Sequence, residues 1–513
     1  MQPQIGLCLV SQNGMFPFEV IPTPQLDPQS ELPLYQQLHR HFTQLIRSHV
    51  LKKGERLPPT RELAGLLGLN RTTVSAAYEL LESDGLISGQ VGRGSYVTGN
   101  DAPLASEGLN WGTILDESYV PAGQSIPASA QNAISFAVSR PSEELFPVDD
   151  FRASCEEVMA GADFGSVLQL GSPGGYEPLR QYLLDTARTE GVLRPGDDLM
   201  ITSGCQQALD LVRRVLIRPG DKVLLEEPVY PGLKNLFLEA GAELTGIPVQ
   251  ADGMETALIE RAMAKNRFKA LVVTSNFQNP TGATLSQEAR ASILRQAGST
   301  GAVVVENDIY GQLRYEGAPL PTLKQMDDTG DTILLRSFSK ISFPGLRVGW
   351  VTGPRAFIAR MIEAKHLSDL HSDQLSQAVL LRFAVSGRLE AHHARILKAG
   401  AERLSAVLAA CDRYLPRGTR FTRPQGGMNL WVRLPEPLDA SDLLGRAQRE
   451  GVTYLPGKYF AVGRPDPGSL RLSFAGLDPT RIEKGVKILG EIFSNELERV
   501  RDSSNREPAP AMV

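Results

Sequence analysis

Four short apolar runs, each followed by a polar loop, constrain the fold of this chain more than any other feature of its sequence. The runs lie in KVLLEE, KALVVTS, GAVVVEN and DTILLRS. Runs of about four Val, Leu and Ile residues that alternate with helical stretches are typical of buried parallel strands. The loops that follow such strands meet at the carboxyl edge of one sheet, where α/β domains hold ligands. From about residue 132 onward, the sequence therefore predicts an α/β domain with a more mixed C-terminal part.

These loops carry the groups that pyridoxal phosphate requires. The cofactor needs an amine for its aldimine, a carboxylate that keeps its ring nitrogen protonated, and donors for its phenolate oxygen. Lys340 in SFSK supplies the amine, and Asp308 in NDIY supplies the carboxylate. Asn279 in QNPTG and Tyr310 in NDIY supply the donors. Each residue alone has an ordinary explanation as a solvated lysine, a cap or a turn, but their joint occurrence favours a cofactor site.

The phosphate of the same cofactor needs hydroxyls, an arginine and a helix N-terminus. Ser337 and Arg347 flank Lys340, and the segment SGCQQALDLV, which starts at Ser203, predicts the helix. Tyr230, at the end of LLEEPVYPG, is placed to stack on the ring.

In this order, the motifs resemble those of fold-type I aminotransferases of the aspartate aminotransferase class, over roughly residues 135–495. The resemblance implies that Lys340 is the aldimine lysine, Asp308 the ring-nitrogen partner, and Asn279 and Tyr310 the phenolate partners. It also implies a set of residues at the phosphate, namely Gly204, Cys205, Gln206, Ser337 and Arg347. Arg471, in LRLSFAG, matches the arginine that binds the α-carboxylate of an amino acid.

Two positions depart from the aminotransferase pattern. Leu170 in LQLGSPGGYEPLR stands where a tyrosine usually reaches the phosphate of the neighbouring subunit. Ser139 in AVSRPSEELFP stands where a substrate-side glycine is usual. Both changes predict altered substrate geometry, while cofactor anchoring stays intact.

The start of the chain predicts a different kind of module. An apolar stripe from Leu34 to Val50, closed by Gly54, predicts a first helix. A second helix begins near Pro59 or Thr60, and a third follows Asn70, a good N-cap. The start of the third helix presents Arg71, Thr72, Thr73 and Ser75, which suit phosphates and base edges. The segment LISGQVGRGSYV then predicts a hairpin with a basic tip at Arg93.

The segment GERLPPTRELAGLLGLNRTTVSAAYELLESDGLI closely resembles the GntR-type winged helix-turn-helix, over about residues 34–98. A single arginine in it is an ordinary surface charge, but the order of helices, cap and hairpin favours DNA binding, with Arg61 on the preceding helix. Tyr35 to Val97 carry eight Lys or Arg and five Asp or Glu, which gives this segment a net charge of +3. Since the whole chain has a net charge of −5, the remaining residues carry −8. A locally basic head permits DNA contact.

Together, the two parts resemble the MocR subfamily of bacterial transcriptional regulators. The resemblance implies a homodimer that binds double-stranded operator DNA and senses an amino compound, or pyridoxal phosphate itself, at Lys340. The departures at Ser139 and Leu170 predict slow or absent turnover. The alternative is an active aminotransferase with an appended DNA-binding domain. The predicted organisation is an extension (1–33), the winged helix-turn-helix (34–98), a linker (99–131), the aminotransferase-like domain (132–500) and a disordered tail (501–513).

The remaining sequence features indicate the cellular compartment in which the protein is expected. Cys8, Cys155, Cys205 and Cys411 show neither disulfide nor metal spacing, which favours a reducing compartment and predicts no metal site. The first twenty residues do not resemble a signal peptide, and no apolar run approaches the ~18 residues of a membrane span. A cytoplasmic protein without membrane contact is expected.

Overall fold

The structure is a computed structural model that describes residues 22, 24, 26, 27, 30, 32–90, 94–98 and 133–504. The chain forms two compact units, Met1–Val120 and Pro121–Val513, which are described separately. Most of the predicted extension, the linker and the end of the tail lie outside the described residues, as does Arg93 at the predicted hairpin tip. The last helix continues to Ser504, so the predicted start of the tail at residue 501 falls within that helix.

The N-terminal unit contains three helices and a two-stranded antiparallel hairpin: α1 (Leu34–Arg47), α2 (Thr60–Leu67), α3 (Arg71–Ser83), β1 (Ile87–Gln90) and β2 (Gly94–Val97). Local chemistry sets the helix ends. Gly68 ends α2 in the left-handed conformation, with φ of 65°. The Asn70 side chain accepts from the Thr72 amide at 3.2 Å and caps α3, as predicted. Pro59 precedes α2 without a side-chain cap.

The predicted end of α1 is wrong. The helix ends at Arg47 because His49 adopts φ of 57°, which turns the chain before Gly54. Val50 consequently remains exposed, and Leu51 enters the core with Phe42 and Leu57. Residues after this turn pair with the hairpin, where the Leu57 amide donates to the Ser95 carbonyl at 2.9 Å.

The larger unit is built on an eight-stranded sheet. Its strands are β4 (Asp197–Thr202), β5 (Lys222–Glu227), β6 (Glu243–Gln250), β7 (Gly253–Met254), β8 (Ala270–Val273), β9 (Val303–Asn307), β10 (Ile333–Ser337) and β11 (Gly349–Pro354). They lie in the order β4-β11-β10-β9-β8-β5-β6-β7. The four predicted apolar runs form β5, β8, β9 and β10, which are mutually parallel. Strand β11 is antiparallel to both of its neighbours.

Helices cover both faces of this sheet: α4 (Val148–Met159), α5 (Phe164–Val167), α6 (Glu177–Thr189), α7 (Gly204–Leu216), α8 (Pro231–Glu239), α9 (Thr256–Lys265), α10 (Gln287–Thr300), α11 (Leu323–Met326), α12 (Arg355–Asp369) and α13 (Gln374–Val385). Successive strand residues enter different cores, as a pleated strand requires. Val305 of β9 packs with α7 residues such as Leu209, whereas Val304 packs with α10 residues such as Ile293.

A four-stranded sheet, a two-stranded sheet, two long helices and one shorter helix complete the unit. These elements are β3 (Ile134–Ser135), α14 (Arg388–Tyr414), β12 (Arg420–Phe421), β13 (Asn429–Arg433), α15 (Ala440–Arg449), β14 (Val452–Thr453), β15 (Leu455–Pro456), β16 (Ser469–Ser473) and α16 (Pro479–Ser504). Strand β3 pairs with β14, so the start of the domain joins its C-terminal part. No helix in the described part of the chain combines the length and apolar character needed to cross a membrane.

Candidate functional site

A cavity of about 390 Å³ lies where the parallel strands end. Its walls include eight of the residues that were predicted at the cofactor and the predicted carboxylate-binding arginine: Cys205, Gln206, Tyr230, Asn279, Tyr310, Ser337, Lys340, Arg347 and Arg471. A larger groove of about 680 Å³ follows the opposite ends of β9 and β10, but none of the predicted site residues lines it. The sequence therefore located the chemically equipped cavity of the domain.

Lys340 lies in a short 3₁₀ turn directly after β10. Its Nζ donates to the Ser139 carbonyl at 2.8 Å and lies 5.5 Å from the centre of the Tyr310 ring. Burial, together with the nearby guanidinium groups of Arg471 and Arg347, lowers the pKa of Lys340 to about 8. A substantial fraction of the amine is therefore neutral and nucleophilic near physiological pH.

Arg471, on β16, crosses from the small sheet to the loops of the large one. Its Nη1 donates to Asn279 Oδ1 at 3.0 Å, and its Nη2 donates to the Ala137 carbonyl. The Nε atom is buried and has no hydrogen-bond partner among the described residues. Burial lowers the pKa of Arg471 to about 10, so the group stays charged at neutral pH. A buried cation with an unused donor is suited to an acidic ligand.

Asn279 and Tyr310 lie next to each other, as the phenolate role requires. Asn279 Nδ2 donates to the Tyr310 hydroxyl at 3.5 Å, and both side chains are buried. Burial is the largest cause that raises the pKa of Tyr310, so its hydroxyl stays protonated and remains a donor.

The phosphate end of the cavity is formed by two hydroxyls and a guanidinium. Ser337 Oγ donates to Ser339 Oγ at 2.9 Å, and Arg347 Nη1 donates to Ser339 Oγ at 3.4 Å. The Arg347 backbone adopts φ of 53°. Gly204 begins α7 directly against this arginine, with φ of +79°, and a Cβ there would overlap the guanidinium. Glycine therefore leaves room for both the arginine and a ligand at the helix N-terminus.

Cys205, Gln206 and Tyr230 complete the wall nearest α7 and α8. Gln206 Nε2 donates to the Gly232 carbonyl at 3.3 Å, and the Tyr230 ring packs so closely on Gly232 that no Cβ would fit. Tyr230 remains 38% exposed, so its ring has a free face for stacking.

The structure does not bring Asp308 into the cavity. Its carboxylate accepts from Asn276 Nδ2 at 2.7 Å and from Arg336 Nε at 3.1 Å, away from the lining residues. The preceding residue, Asn307, lines the cavity instead. Asn307 shares the face of Val305 because side chains alternate along β9. That alternation is the signal which could have identified Asn307 from the sequence.

The two departures from the aminotransferase pattern differ in their surroundings. Ser139 lines the cavity and contacts Lys340 through its carbonyl. Leu170 is 74% exposed and is not among the residues that line the cavity. Ser339, Thr274 and Ile309 also line the cavity and were not among the predicted site residues.

On the N-terminal unit, the predicted recognition residues lie at the start of α3. Arg71 and Thr72 are exposed, Thr73 and Ser75 are half-buried, and Arg61 is exposed on α2. Val74, Ala77, Tyr78 and Leu81 form the opposite, buried face of α3. The helix therefore presents its polar N-terminal residues outward on a packed support.

The cavity fits pyridoxal phosphate at every group except one. The amine, the phenolate donors, the phosphate donors and the unused guanidinium donor are all present. The exception is the carboxylate for the ring nitrogen, because no Asp or Glu of the described residues lines the cavity.

Comparison with known proteins agrees with both the predicted aminotransferase-like domain and the predicted helix-turn-helix. The family model of aminotransferase class I and II matches residues 134–489, and that of bacterial regulatory proteins of the gntR family matches residues 34–97. The uncharacterized HTH-type transcriptional regulator YdcR of Escherichia coli is 31% identical over 90% of this chain and 99% of its own length.

A second regulator and a solved enzyme structure extend this picture. The probable rhizopine catabolism regulatory protein MocR of Rhizobium meliloti is 28% identical over 91% of this chain and 95% of its own length. Pyrococcus horikoshii kynurenine aminotransferase, solved in complex with PMP, is 35% identical, with a TM-score of 0.70, over 72% of this chain and 92% of its own. The chain therefore belongs to the MocR-type regulators, in which a GntR helix-turn-helix is fused to an aminotransferase class I and II domain, a family whose cofactor is pyridoxal phosphate.

Proposed function

We propose that this protein is a homodimeric transcriptional regulator that binds operator DNA through α3 and senses an amino compound, or pyridoxal phosphate itself, at Lys340. The observation that carries the proposal is the pairing of Lys340 and Arg471 in one cavity, in a chain that also has an exposed recognition helix. Lys340 would hold the cofactor aldehyde, at which an effector amine could take its place, and Arg471 would bind a carboxylate. The effector class is therefore an amino compound that carries an acidic group.

The sensing chemistry needs only the chain's own amine and the cofactor. Lys340 would hold the cofactor aldehyde through its side-chain amine, with loss of water. The amine of an effector would take the place of Lys340 at that aldehyde and leave the lysine free. The lowered pKa of Lys340 supports the first step, because only the neutral amine attacks the aldehyde. Arg471 would hold the acidic group of the effector in a planar two-point contact.

The DNA-binding part of the proposal depends on α3. Arg71, Thr72, Thr73 and Ser75 lie in its first two turns, and Arg71 and Thr72 are exposed. Recognition helices of this class enter the major groove with such N-terminal residues towards the bases. Arg61 and Arg93 are proposed as flanking contacts to the backbone of the DNA.

A homodimer is supported by three exposed leucine side chains of the larger unit. Leu168 is 65% exposed, Leu170 is 74% exposed and Leu367 is 88% exposed. Gln374 Nε2 donates to the Gln169 carbonyl at 2.6 Å and so joins the segment that carries Leu170 to the start of α13. Exposed apolar patches of this kind mark interfaces. Leu170→Glu with Leu367→Glu should convert a dimer to a monomer in analytical ultracentrifugation, and a wild-type monomer would contradict this part.

The DNA-binding test compares two single variants with the wild type on operator DNA. Arg71→Ala should lose specific binding, because a lost bidentate base contact costs roughly 1–3 kcal/mol, while the visible spectrum stays unchanged. Arg417→Ala, an exposed arginine of the larger unit, is the matched control. Binding of Arg71→Ala at wild-type affinity and specificity would show that α3 does not read DNA.

The sensing test measures how amino acids, sulfonates and amines change DNA binding. Arg471→Ala should weaken the response to acidic amino compounds far more than it weakens cofactor binding. If Arg471→Ala weakened cofactor binding as much as the response to acidic amino compounds, Arg471 would be assigned to the cofactor. That result would contradict its role at the effector.

A working aminotransferase is the second candidate. It is favoured by the 35% identity to a kynurenine aminotransferase and by the presence of Lys340 and Arg471 in the cavity. The discriminating assay incubates the protein with an amino acid and a 2-oxo acid and follows keto-acid formation. Turnover at ~1 s⁻¹ or faster, with no effect of any amino compound on DNA binding, would favour the enzyme over the sensor.

A further inference from the structure

The charges around the cavity are all of one sign. Lys340, Arg347 and Arg471 line it, whereas no Asp or Glu of the described residues does. Electron withdrawal by pyridoxal phosphate is strongest when its ring nitrogen is protonated, and a facing carboxylate normally supports that state. A protonated ring nitrogen in this cavity would be a further cation without a counter-charge at contact distance.

Asn307 ends β9 on the cavity side, next to Cys205. The Cys205 thiol donates to Asn307 Oδ1 at 3.4 Å. Burial raises the pKa of this thiol to about 12, so it remains protonated and acts as a neutral donor. The carboxamide oxygen is therefore engaged by the thiol. In the described part of the chain, no protein acceptor is hydrogen-bonded to Asn307 Nδ2, which leaves a donor to face the cavity.

The nearest candidate to replace a ring-nitrogen carboxylate is Asp308, and its oxygens are already in use. Oδ1 accepts from Asn276 Nδ2 at 2.7 Å, and Oδ2 accepts from Arg336 Nε at 3.1 Å. Arg336 is in turn paired with Glu190, with Nη1 at 2.5 Å from Oε2. Asp308 thus belongs to a buried ion network on the other side of β9 and β10, and that network holds it away from the cavity.

A second buried carboxyl group, Glu226, lies at the end of β5. Its oxygens accept from the Thr274 amide at 3.0 Å and from Gln278 Nε2 at 3.3 Å. Burial raises the pKa of Glu226 to about 8, so the group is largely uncharged at neutral pH. Glu226 therefore supplies no counter-charge either.

We propose that Asn307 is the residue that faces the ring nitrogen of pyridoxal phosphate, and that it donates a hydrogen bond to that nitrogen in its unprotonated state. This inference rests on the proposed function, because it assumes the cofactor. It assigns Asn307 a specificity role, since the amide permits cofactor binding but withholds the charge that supports the protonated ring. Asp308 is then a structural residue.

The consequence for reactivity follows from the uncharged ring. Lys340 would be the base that takes the α-proton of a bound effector, and the cofactor would supply weaker electron withdrawal for that step with an unprotonated ring than with a protonated one. Exchange of amines at the cofactor does not need this step. The chain would therefore bind amino compounds readily while the proton transfer that begins transamination stays slow. A single amide thus separates sensing from turnover.

The test is the ¹⁵N chemical shift of the ring nitrogen in full-length protein reconstituted with ¹⁵N-labelled pyridoxal phosphate. We expect an unprotonated nitrogen in the wild type between pH 6 and 8. In Asn307→Asp, the new carboxylate should raise the pKa of the ring nitrogen by about 1–3 units and give the protonated signal. The same variant should speed single-turnover conversion of bound L-glutamate by about tenfold or more, the factor that corresponds to that shift.

Asp308→Asn is the matched control, since it changes the adjacent acid to an amide. It should leave the ¹⁵N signal unprotonated and lower only thermal stability. A protonated ring nitrogen in the wild-type protein would overturn the inference, and this measurement requires no variant to fold. If the wild type still changed its DNA binding with amino compounds, the proposed function would survive. A wild-type protein that binds no pyridoxal phosphate would contradict both the inference about Asn307 and the proposed function.

Discussion

The two ends of the cavity differ in how they are equipped. At the phosphate end, Ser337, Ser339 and Arg347 converge beside the N-terminus of α7, and Gly204 leaves them room. At the end of β9, the cavity wall has an uncharged carboxamide, Asn307, and no carboxylate of the described residues lines the cavity. One end has the charge and the donors to hold an anion tightly. The other end offers a neutral contact.

This difference indicates that cofactor retention and cofactor activation are separate properties of the site. Binding depends mainly on the phosphate donors and on Lys340, because charge-assisted hydrogen bonds are the stronger ones. Activation of a bound amine depends on the ring-nitrogen partner. The proposed sensor needs the first property and can do without the second.

The largest expected effect is at Lys340. Lys340→Ala removes the amine and should abolish the covalent chromophore, with no reduction product bound to the chain after borohydride treatment. The phosphate end remains, so the variant should still bind the cofactor noncovalently. Lys398→Ala, an exposed lysine of α14, should keep the wild-type spectrum. A yellow Lys340→Ala protein with a borohydride-stable adduct would place the aldimine on another residue.

A smaller effect is expected when variants at Arg347 and Asn307 are compared directly. Arg347→Ala removes a charged phosphate donor, and hydrogen bonds to charged groups contribute about 1.5–3 kcal/mol, so the dissociation constant for pyridoxal phosphate should rise about ten- to a hundredfold. Asn307→Ala removes a neutral contact and should raise it at most about tenfold. Fluorescence titration of the apoprotein measures both. A larger loss of pyridoxal phosphate affinity in Asn307→Ala than in Arg347→Ala would contradict this ranking.

The smallest effect is on pH dependence. The pKa of Lys340 is lowered to about 8, so its reactive neutral form increases as pH rises through 8 and then saturates. The rate of chromophore formation should follow this curve in stopped-flow absorbance. Arg471→Met removes one cation that lowers this pKa, so the curve should move to higher pH. Arg295→Met, outside the cavity, should leave it unchanged, and a rate that falls between pH 7 and 8 would contradict the assignment.

Local signals in the sequence were sufficient for the elements and for most of the site. Asn70 caps α3 and Gly68 ends α2 because capping depends on a few neighbouring atoms. The apolar runs form β5, β8, β9 and β10 because their burial on both faces requires continuous apolar residues. The end of α1 was missed because the left-handed turn at His49 is set by the packing of Leu51, which lies beyond the helix.

Asp308 lies outside the cavity for a geometric reason. Adjacent residues at a strand end point to different sides, so a shift of one position changes which side chain enters the cavity. Chemical reasoning selected the acid because a carboxylate suits the ring nitrogen. The partners that hold that acid, Arg336 and Asn276, are distant in sequence, and nothing near Asp308 indicates them.

The two cationic groups that an effector would engage, Lys340 and Arg471, are held by main-chain carbonyls, of Ser139 and Ala137 respectively. Every amino acid carries a carbonyl, so an alanine scan across residues 137–139 would leave both hydrogen bonds in place. Within residues 137–139, the resting positions of these groups therefore depend on the path of the backbone and not on residue identity, while Asn279 adds a side-chain acceptor for Arg471. In such a segment, side chains can change over evolutionary time to suit a new effector, while the acceptors that hold the two cations ready are inherited without change.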